Sequence, residues 1–401
     1  MKKIAIVSLF GCGNIGDEAI LTSLVNSFLD LNIGMPLQSL ALSPSGYAIE
    51  KYFPNDTQDN RSKKIHSIFF PSEGRRKGFI KTLLTGGEIK SLATVFLQSD
   101  IILFGGGYWL HDYTPYNLPL VLGFALFCKC FRKKIVFYAI GAGPISTFIG
   151  RLLTKYILSY TDLILVRDAF SYAALQSAGL KKMIFITADP ALLLKPISAD
   201  KSIGSSALLQ FINNDRNTIG FSVSAWLEIK NLWKYRLQDF VEPYKGIAKL
   251  LDIIVRTHGV QILFIPTMLP EDLEACRKIA EYMTEVHSFV LTGSYYPAQI
   301  QDIIGQVSCF VSMRLHPLIF AVIQSCPVIA ISYDPKVASF MSDIGQGAWC
   351  LKMDEMHKLP TLVSKLLKRQ NDQLEEIGSR MEALKNAAAN NIKLLNENLL
   401  Q

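Results

Sequence analysis

Apolar residues in this chain of 401 fall into short unbroken blocks, separated by stretches with a helical period. The first block, 4–9, runs into a glycine turn at 10–16 and a helix predicted over 17–31. Blocks at 37–42, 101–104, 135–139, 163–166 and 184–187 continue the series, with helices predicted over 119–131, 149–159 and 168–177. Blocks without polar alternation suit strands covered on both faces, and their alternation with helices predicts a parallel sheet.

The series restarts at 218–223 and continues through strands at 261–265, 288–291, 309–311 and 328–331. Helices are predicted over 241–257, 271–284, 297–305 and 315–324. Between the halves, Pro196, scattered serines and Asn213, Asn214 and Asp215 have the composition of a connection. The chain is therefore α/β and divides into a domain at 1–195, a linker at 196–217, a second domain at 218–372 and a tail at 373–401. In the tail Leu374, Ile377, Met381, Leu384, Ala388, Ile392, Leu395 and Leu399 step by three and four. This is a long amphipathic helix, read as packing back across the domains, with a homo-oligomer contact as the alternative.

Half the residues are apolar and 19% are charged, ordinary for a folded chain with two cores. The longest apolar runs are too short for a membrane span or are broken by His316, Pro317, Gln324 and Pro327. Block 4–9 enters a glycine turn without a leader pattern, so a cytoplasmic protein is expected. Seven cysteines without metal-like spacing agree with a reducing compartment. Cys128 and Cys130 lack a matching pair, and no metal is expected.

A formal charge of +7 favours anionic partners. Without an arginine-rich tract or a nucleic-acid motif, nucleic acid is not expected. Between 61 and 90 lie Arg61, Lys63, Lys64, Arg75, Arg76, Lys77, Lys81 and Lys90, interleaved with Phe69, Phe70 and Phe79. Two readings stand: a peripheral contact with anionic lipid or a lipid-borne phosphate at the inner membrane face, or a solvated insertion.

Gly11, Gly13 and Gly16 match the spacing of a dinucleotide phosphate loop. Asp17 and Glu18 follow at once, and two carboxylates oppose a pyrophosphate at that helix start. The second strand also ends without the acid that would hold a ribose. The turn is read instead as bringing backbone to a substrate edge, with Asn14, Asp17 and Glu18 as hydroxyl acceptors or a general base; dipole capping is the alternative.

Gly105, Gly106 and Gly107 form a second turn, able to present amides to an anion or a sugar oxygen. Trp109 is expected to stack on a sugar, and Asp112 to orient a hydroxyl or close the loop. Gly141 to Ile145, including Gly143, make a third turn. Arg167 is either a second anion contact or the ion-pair partner of Asp168. Ser222, Ser224, Trp226, Pro266, Thr267 and Ser332 to Pro335 follow strand ends and are expected at the rim.

Arg314 and His316 stand at a strand-to-helix turn inside an apolar run. An unpartnered charge there would cost several kcal/mol, so an anionic ligand is the expected partner. The alternative is a helix cap and a hydrogen-bonded core histidine. Between the two halves a cleft is expected, with a donor on one wall and an acceptor on the other.

Seven segments, in order, resemble the polysaccharide pyruvyl transferase family: Phe10 to Leu21, Phe104 to Asp112, Ile140 to Ile145, Arg167 to Leu175, Asp189 to Leu194, Ser312 to Ala321 and Ile331 to Lys336. The resemblance implies a GT-B-like fold of two Rossmann-like domains with parallel sheets facing across a cleft. It implies a transferase that takes phosphoenolpyruvate and forms a pyruvate ketal on a cell-surface polysaccharide or its polyprenyl-linked precursor. The donor motif falls on Arg314, Leu315 and His316, and a second motif arginine on Arg167. On this reading Arg314 and Arg167 hold the donor, His316 is the acid, Asp17 or Glu18 is the base, and no cofactor is needed. The rivals are a nucleotide-sugar glycosyltransferase and a non-catalytic glycan-binding assembly protein.

Overall fold

Ile4, Ala5, Ile6 and Val7 have no solvent exposure, and Ile101 to Phe104 almost none, so the first apolar blocks form central strands. The structure is a computed structural model that describes residues 3–8, 13–30, 37–41, 65–69, 94, 96–179, 181–195, 206–225, 243–285, 287–293 and 295–400. The chain separates into two units. The first holds Met1–Cys12, Asp17–Leu194 and Lys385–Gln401; the second holds Gly13–Gly16 and Lys195–Leu384.

The first unit contains β1 (Ile4–Ser8), α1 (Ile15–Asp30, apart from its opening residues), β2 (Leu37–Ala41), β3 (Ile65–Phe69), β4 (Ile101–Gly105) and β5 (Tyr108–Leu110). It continues with α2 (Asn117–Cys130), β6 (Lys134–Ala142), α3 (Phe148–Tyr160), β7 (Leu163–Val166), α4 (Ala169–Gln176) and β8 (Phe185–Ile186). The sheet order is β3-β2-β1-β4-β6-β7-β8, with β5 beside β6. The pairings are parallel.

Apolar layers cover both sheet faces. One gathers Phe104, Trp109, Phe137 and Ile157. The other gathers Leu24, Phe28, Leu103 and Tyr138 with Ile392 and Leu395 from the C-terminal helix.

The second unit runs through α5 (Ser206–Ile212), β9 (Thr218–Ser222), α6 (Pro243–His258), β10 (Gln261–Phe264), α7 (Glu271–Tyr282), β11 (Ser288–Val290) and α8 (Pro297–Gly305). It continues with β12 (Cys309–Ser312), α9 (Leu315–Ile323), β13 (Val328–Ser332), α10 (Pro335–Asp343), β14 (Cys350–Lys352), α11 (Leu359–Lys368) and the first part of α12 (Gln370–Leu395). Its sheet order is β11-β10-β9-β12-β13-β14. Both orders reverse direction beside the first strand, between β1 and β4 and between β9 and β12. Such a reversal opens a crevice at the strands' C-terminal ends, where open α/β sheets hold ligands.

The expected α/β architecture and long final helix are present. Helix α12 contributes to both units. At its start Gln373 accepts from Val328 N at 2.8 Å and donates to Val328 O at 2.9 Å. Near its end Asn391 accepts from Thr187 Oγ1 at 2.6 Å and donates to Ala188 O at 2.9 Å. These bonds satisfy buried polar groups that apolar periodicity alone would leave unpaired.

The linker expected at 196–217 is not all irregular, because α5 lies within it and buries Leu208. Of the basic region at 61–90, only β3 is described. Gly11 and Trp226 lie outside the described residues.

Candidate functional site

In the second unit, β9 and β12 end at Ser222 and Ser312, on either side of the crevice. Ser312 ties the following turn, with Oγ accepting from Arg314 N at 2.9 Å and donating to Arg314 O at 2.8 Å. Arg314 occupies the extended residue before α9, which frees its side chain to leave the helix axis. The guanidinium makes a two-point pair with Asp272: Nε to Oδ2 at 3.0 Å and Nη2 to Oδ1 at 2.5 Å.

Asp272 has no solvent exposure and also accepts from Ala225 N and Met268 N. Burial opposes the charge on Arg314, but Tyr333 and Asp272, through their fields and hydrogen bonds, hold its pKa above the ordinary value. This corrects the expectation that Arg314 needs a ligand as its partner. A carboxylate 42 residues away supplies that partner and fixes the fork's direction.

His316 follows in the first turn of α9 and is half-buried. Its ring lies against Gly16: a Cβ at that position would stand 1.8 Å from Nδ1 and 2.3 Å from Cγ. Only a residue without a side chain permits this approach. The turn is secured to the second unit by Ile15 N to Thr267 O and Leu269 N to Gly13 O, both 2.9 Å. Asn14 Oδ1 accepts from Gly16 N at 3.2 Å, so Asn14 caps α1. Leu315 is 6% exposed and seats the turn by packing. Ser332 stands at the end of β13, its hydroxyl donating to Asp334 O at 3.0 Å.

In the first unit, Gly105 is packed against Leu103, Leu24 and Ile6, and Gly106 against Ile20. Gly106 and Gly107 both have positive φ, +63 and +67, but Gly107 has room: among the described residues an added Cβ there would meet nothing nearer than Asp17 Oδ1 at 3.8 Å and Trp109 Nε1 at 3.9 Å. Asp17 and Glu18 occupy the first turn of α1 and are 6% and 2% exposed.

Trp109 is 7% exposed and meets Phe104 edge-on at 5.2 Å, so its ring belongs to the core and cannot stack on a sugar. Among the described residues its buried indole N–H has no hydrogen-bond partner. Such a donor loses hydration without compensation unless a ligand supplies an acceptor.

Arg167 is enclosed. It pairs with Asp189 at 3.0 Å and Asp168 at 3.5 Å, and lies over the Tyr108 ring at 5.6 Å. Burial opposes its charge, while Asp189, Asp168, Tyr108 and Asp17 raise its pKa. Two carboxylates already neutralise it, so the ion-pair reading describes its surroundings better than a direct anion contact. Asp112 closes a loop: Oδ2 accepts from Ser146 N, Thr147 N and Thr147 Oγ1 within 2.8 Å. Gly143 donates to Leu110 O at 2.7 Å and packs against Ala174.

Asp272 escaped sequence reasoning, because it looks like an ordinary acid in a helix's first turn; Tyr333 was expected at the rim, but not as a partner of Arg314. Among the described residues no group of three or more His, Cys, Asp or Glu side chains is placed to hold a metal, and no helix is long and apolar enough to cross a membrane.

Comparison with known proteins places these residues in a wider setting. The family described as polysaccharide pyruvyl transferase matches residues 14–335, from Asn14 in the glycine turn to Pro335 beyond the Arg314–His316 turn. The amylovoran biosynthesis protein AmsJ of Erwinia amylovora is 21% identical over 370 residues, covering 86% of each chain. Among solved structures, the UDP-GlcNAc 2-epimerase of Neisseria meningitidis, bound to UDP-GlcNAc, superposes with a TM-score of 0.60 at 12% identity, covering 99% of this chain and 100% of that one. A glycosyltransferase of Rickettsia africae gives 0.57 at 11% identity, covering 99% and 98%. These structural likenesses are of fold, and the fold is GT-B-like.

Proposed function

The chain belongs to the polysaccharide pyruvyl transferase family, and from that premise we propose that it transfers the pyruvyl group of phosphoenolpyruvate to two hydroxyls of a sugar in a polysaccharide or its lipid-linked precursor. The product is a pyruvate ketal, and phosphate leaves. The observation that carries this reading is the Arg314 fork, charged, aimed by Asp272 and followed two residues later by a half-buried imidazole.

The reaction joins both sugar oxygens to C2 of the donor, breaks the bond from C2 to the phosphate oxygen, and turns the C3 methylene into a methyl group. Of the two hydroxyl protons, one is matched by the proton gained at C3 and the other by the proton on departing phosphate. Arg314 takes up the donor's carboxylate or phosphate through N–H groups that Asp272 does not use, since a guanidinium has five. His316 gives the proton to C3. Asp17 is the better base of the two carboxylates, because its oxygen lies beside the open Gly107 position. The Trp109 N–H is the donor available there for a sugar oxygen. Arg167, neutralised by Asp168 and Asp189, positions the surrounding loops.

The test supplies phosphoenolpyruvate with a panel of soluble and lipid-linked sugars, measuring free phosphate and the mass of the carboxyethylidene product. Turnover that disappears in Arg314→Gln and His316→Ala supports the proposal. Turnover of a UDP-sugar with none of phosphoenolpyruvate would replace it with a nucleotide-sugar enzyme.

A further inference from the structure

Helices α2 and α3 both bury one face in the same core, through Val121, Ala125, Ile157 and Leu158, and they pack against each other. Their outer faces therefore adjoin. On α3 that face carries Phe148, Ile149, Leu152 and Tyr156, which are 75%, 67%, 41% and 51% exposed. Positions 148, 152 and 156 follow one another along a single side of the helix. Leu126 on α2 and Phe131 just beyond it are 43% and 47% exposed. Exposed apolar side chains gathered in this way mark a contact surface rather than scattered exceptions.

The charge pattern identifies the partner. Residues 113–161 contain no Asp or Glu, but include Lys129, Arg132, Lys133, Lys134, Arg151 and Lys155. Lys134 is paired with Asp162 and Lys133 donates to Leu97 O. Lys129, Arg132, Arg151 and Lys155 are exposed on or beside the two helices and give the apolar face a positive rim. A second copy of this chain meeting the same face would set cation against cation. A bilayer surface with anionic headgroups satisfies both features, taking the apolar side chains between its acyl chains and the cations among its phosphates.

We propose that the outer face of α2 and α3 seats this protein on an anionic membrane surface, with α3 lying along the headgroup layer. This face has other residues than the basic region at 61–90. It stands on exposure and charge alone, so it does not depend on the donor chemistry proposed above.

The test is flotation of the full chain with vesicles of phosphatidylcholine alone and with vesicles containing roughly a third phosphatidylglycerol. Wild-type protein should float with the anionic vesicles only, and less at high salt. Arg151→Gln with Lys155→Gln should weaken binding about 30-fold, two cations at about 1 kcal/mol each. Phe148→Ser with Ile149→Ser should abolish flotation while leaving circular dichroism and the urea midpoint unchanged, because both side chains are already in water. Failure of the wild type to float, or equal flotation of the Phe148→Ser, Ile149→Ser variant, would overturn the proposal. So would a serine variant that floats normally but drops from dimer to monomer in light scattering, which would make this face a self-contact.

Discussion

Gly16→Ala isolates the contact that joins the glycine turn to the histidine. The added Cβ would stand 1.8 Å from His316 Nδ1, against an ordinary contact beginning near 3.4 Å, so the ring must retreat by about 1.6 Å. Helix propensity points the other way: alanine in place of glycine inside α1 should stabilise by up to about 1 kcal/mol. Overpacking of this kind costs about 1–3 kcal/mol, enough to cancel or reverse that gain.

The two contributions separate in a double-mutant cycle. In wild type, Gly16→Ala should leave the urea midpoint unchanged or lower it. In a His316→Ala background, which removes the ring, the same substitution should raise stability by about 1 kcal/mol. The coupling between the sites is then about 1–3 kcal/mol, and measuring it requires no substrate. If the enzyme works as proposed, Gly16→Ala alone should also lower turnover by about 100-fold, the usual consequence of shifting a reacting group by an ångström or more. Equal stability effects in the two backgrounds would refute the claim that Gly16 exists to admit the imidazole.

Three further expectations follow from buried polar groups. Asp272→Ala strands the Arg314 guanidinium and two backbone N–H groups, and should cost about 3–5 kcal/mol in urea denaturation, whereas Asp272→Asn should cost less but still raise KM for the donor. Burial pushes the Cys309 thiol up to about 12 from 9.0, so the fold favours its neutral form. Stability is fully present below about pH 9 and is lost towards pH 12 by about 1.4 kcal/mol per unit; Cys309→Ala should flatten the measured midpoint–pH curve by that amount. Asn391→Ala removes partners from Thr187 and Ala188, should cost about 1–3 kcal/mol, and should speed amide exchange in the last turns of α12, read by mass spectrometry.

The core strands were legible because they are fully covered: runs such as 101–104 and 328–331 contain nothing that a solvent-facing strand would need. Of the short elements, β8 and β11 were expected at 184–187 and 288–291, but β5 and β14 were not. β14 has one half-buried, one buried and one exposed residue, a pattern no three-residue window can separate from a loop. β5 is defined by its neighbour β6 and by the glycines before it, rather than by its own composition. α5 was hidden in a segment whose serines and asparagines suggested a connection, although Leu208 buries itself there.

The site divides along a similar line. An arginine and a histidine in an apolar run announce that something must balance them, and the sequence showed that demand at Arg314 without showing what meets it. The answer lies in three dimensions: Asp272 and Arg314 are brought together by α7 and by the turn after β12, neither of which hints at the other in the linear chain. Trp109 failed for the opposite reason, because a tryptophan beside glycines suggests an exposed platform until its ring is found against Phe104. What remains reactive in it is the indole N–H, so any part it plays is directional hydrogen bonding rather than stacking. A Trp109→Phe variant separates the two: the ring and the core contact survive, the donor is lost, and a stacking platform would be indifferent to the change. The geometry therefore expects folding to persist while acceptor KM rises by about five- to tenfold, one hydrogen bond's worth, with donor KM unmoved; equal acceptor kinetics in the phenylalanine variant would remove this residue from the site.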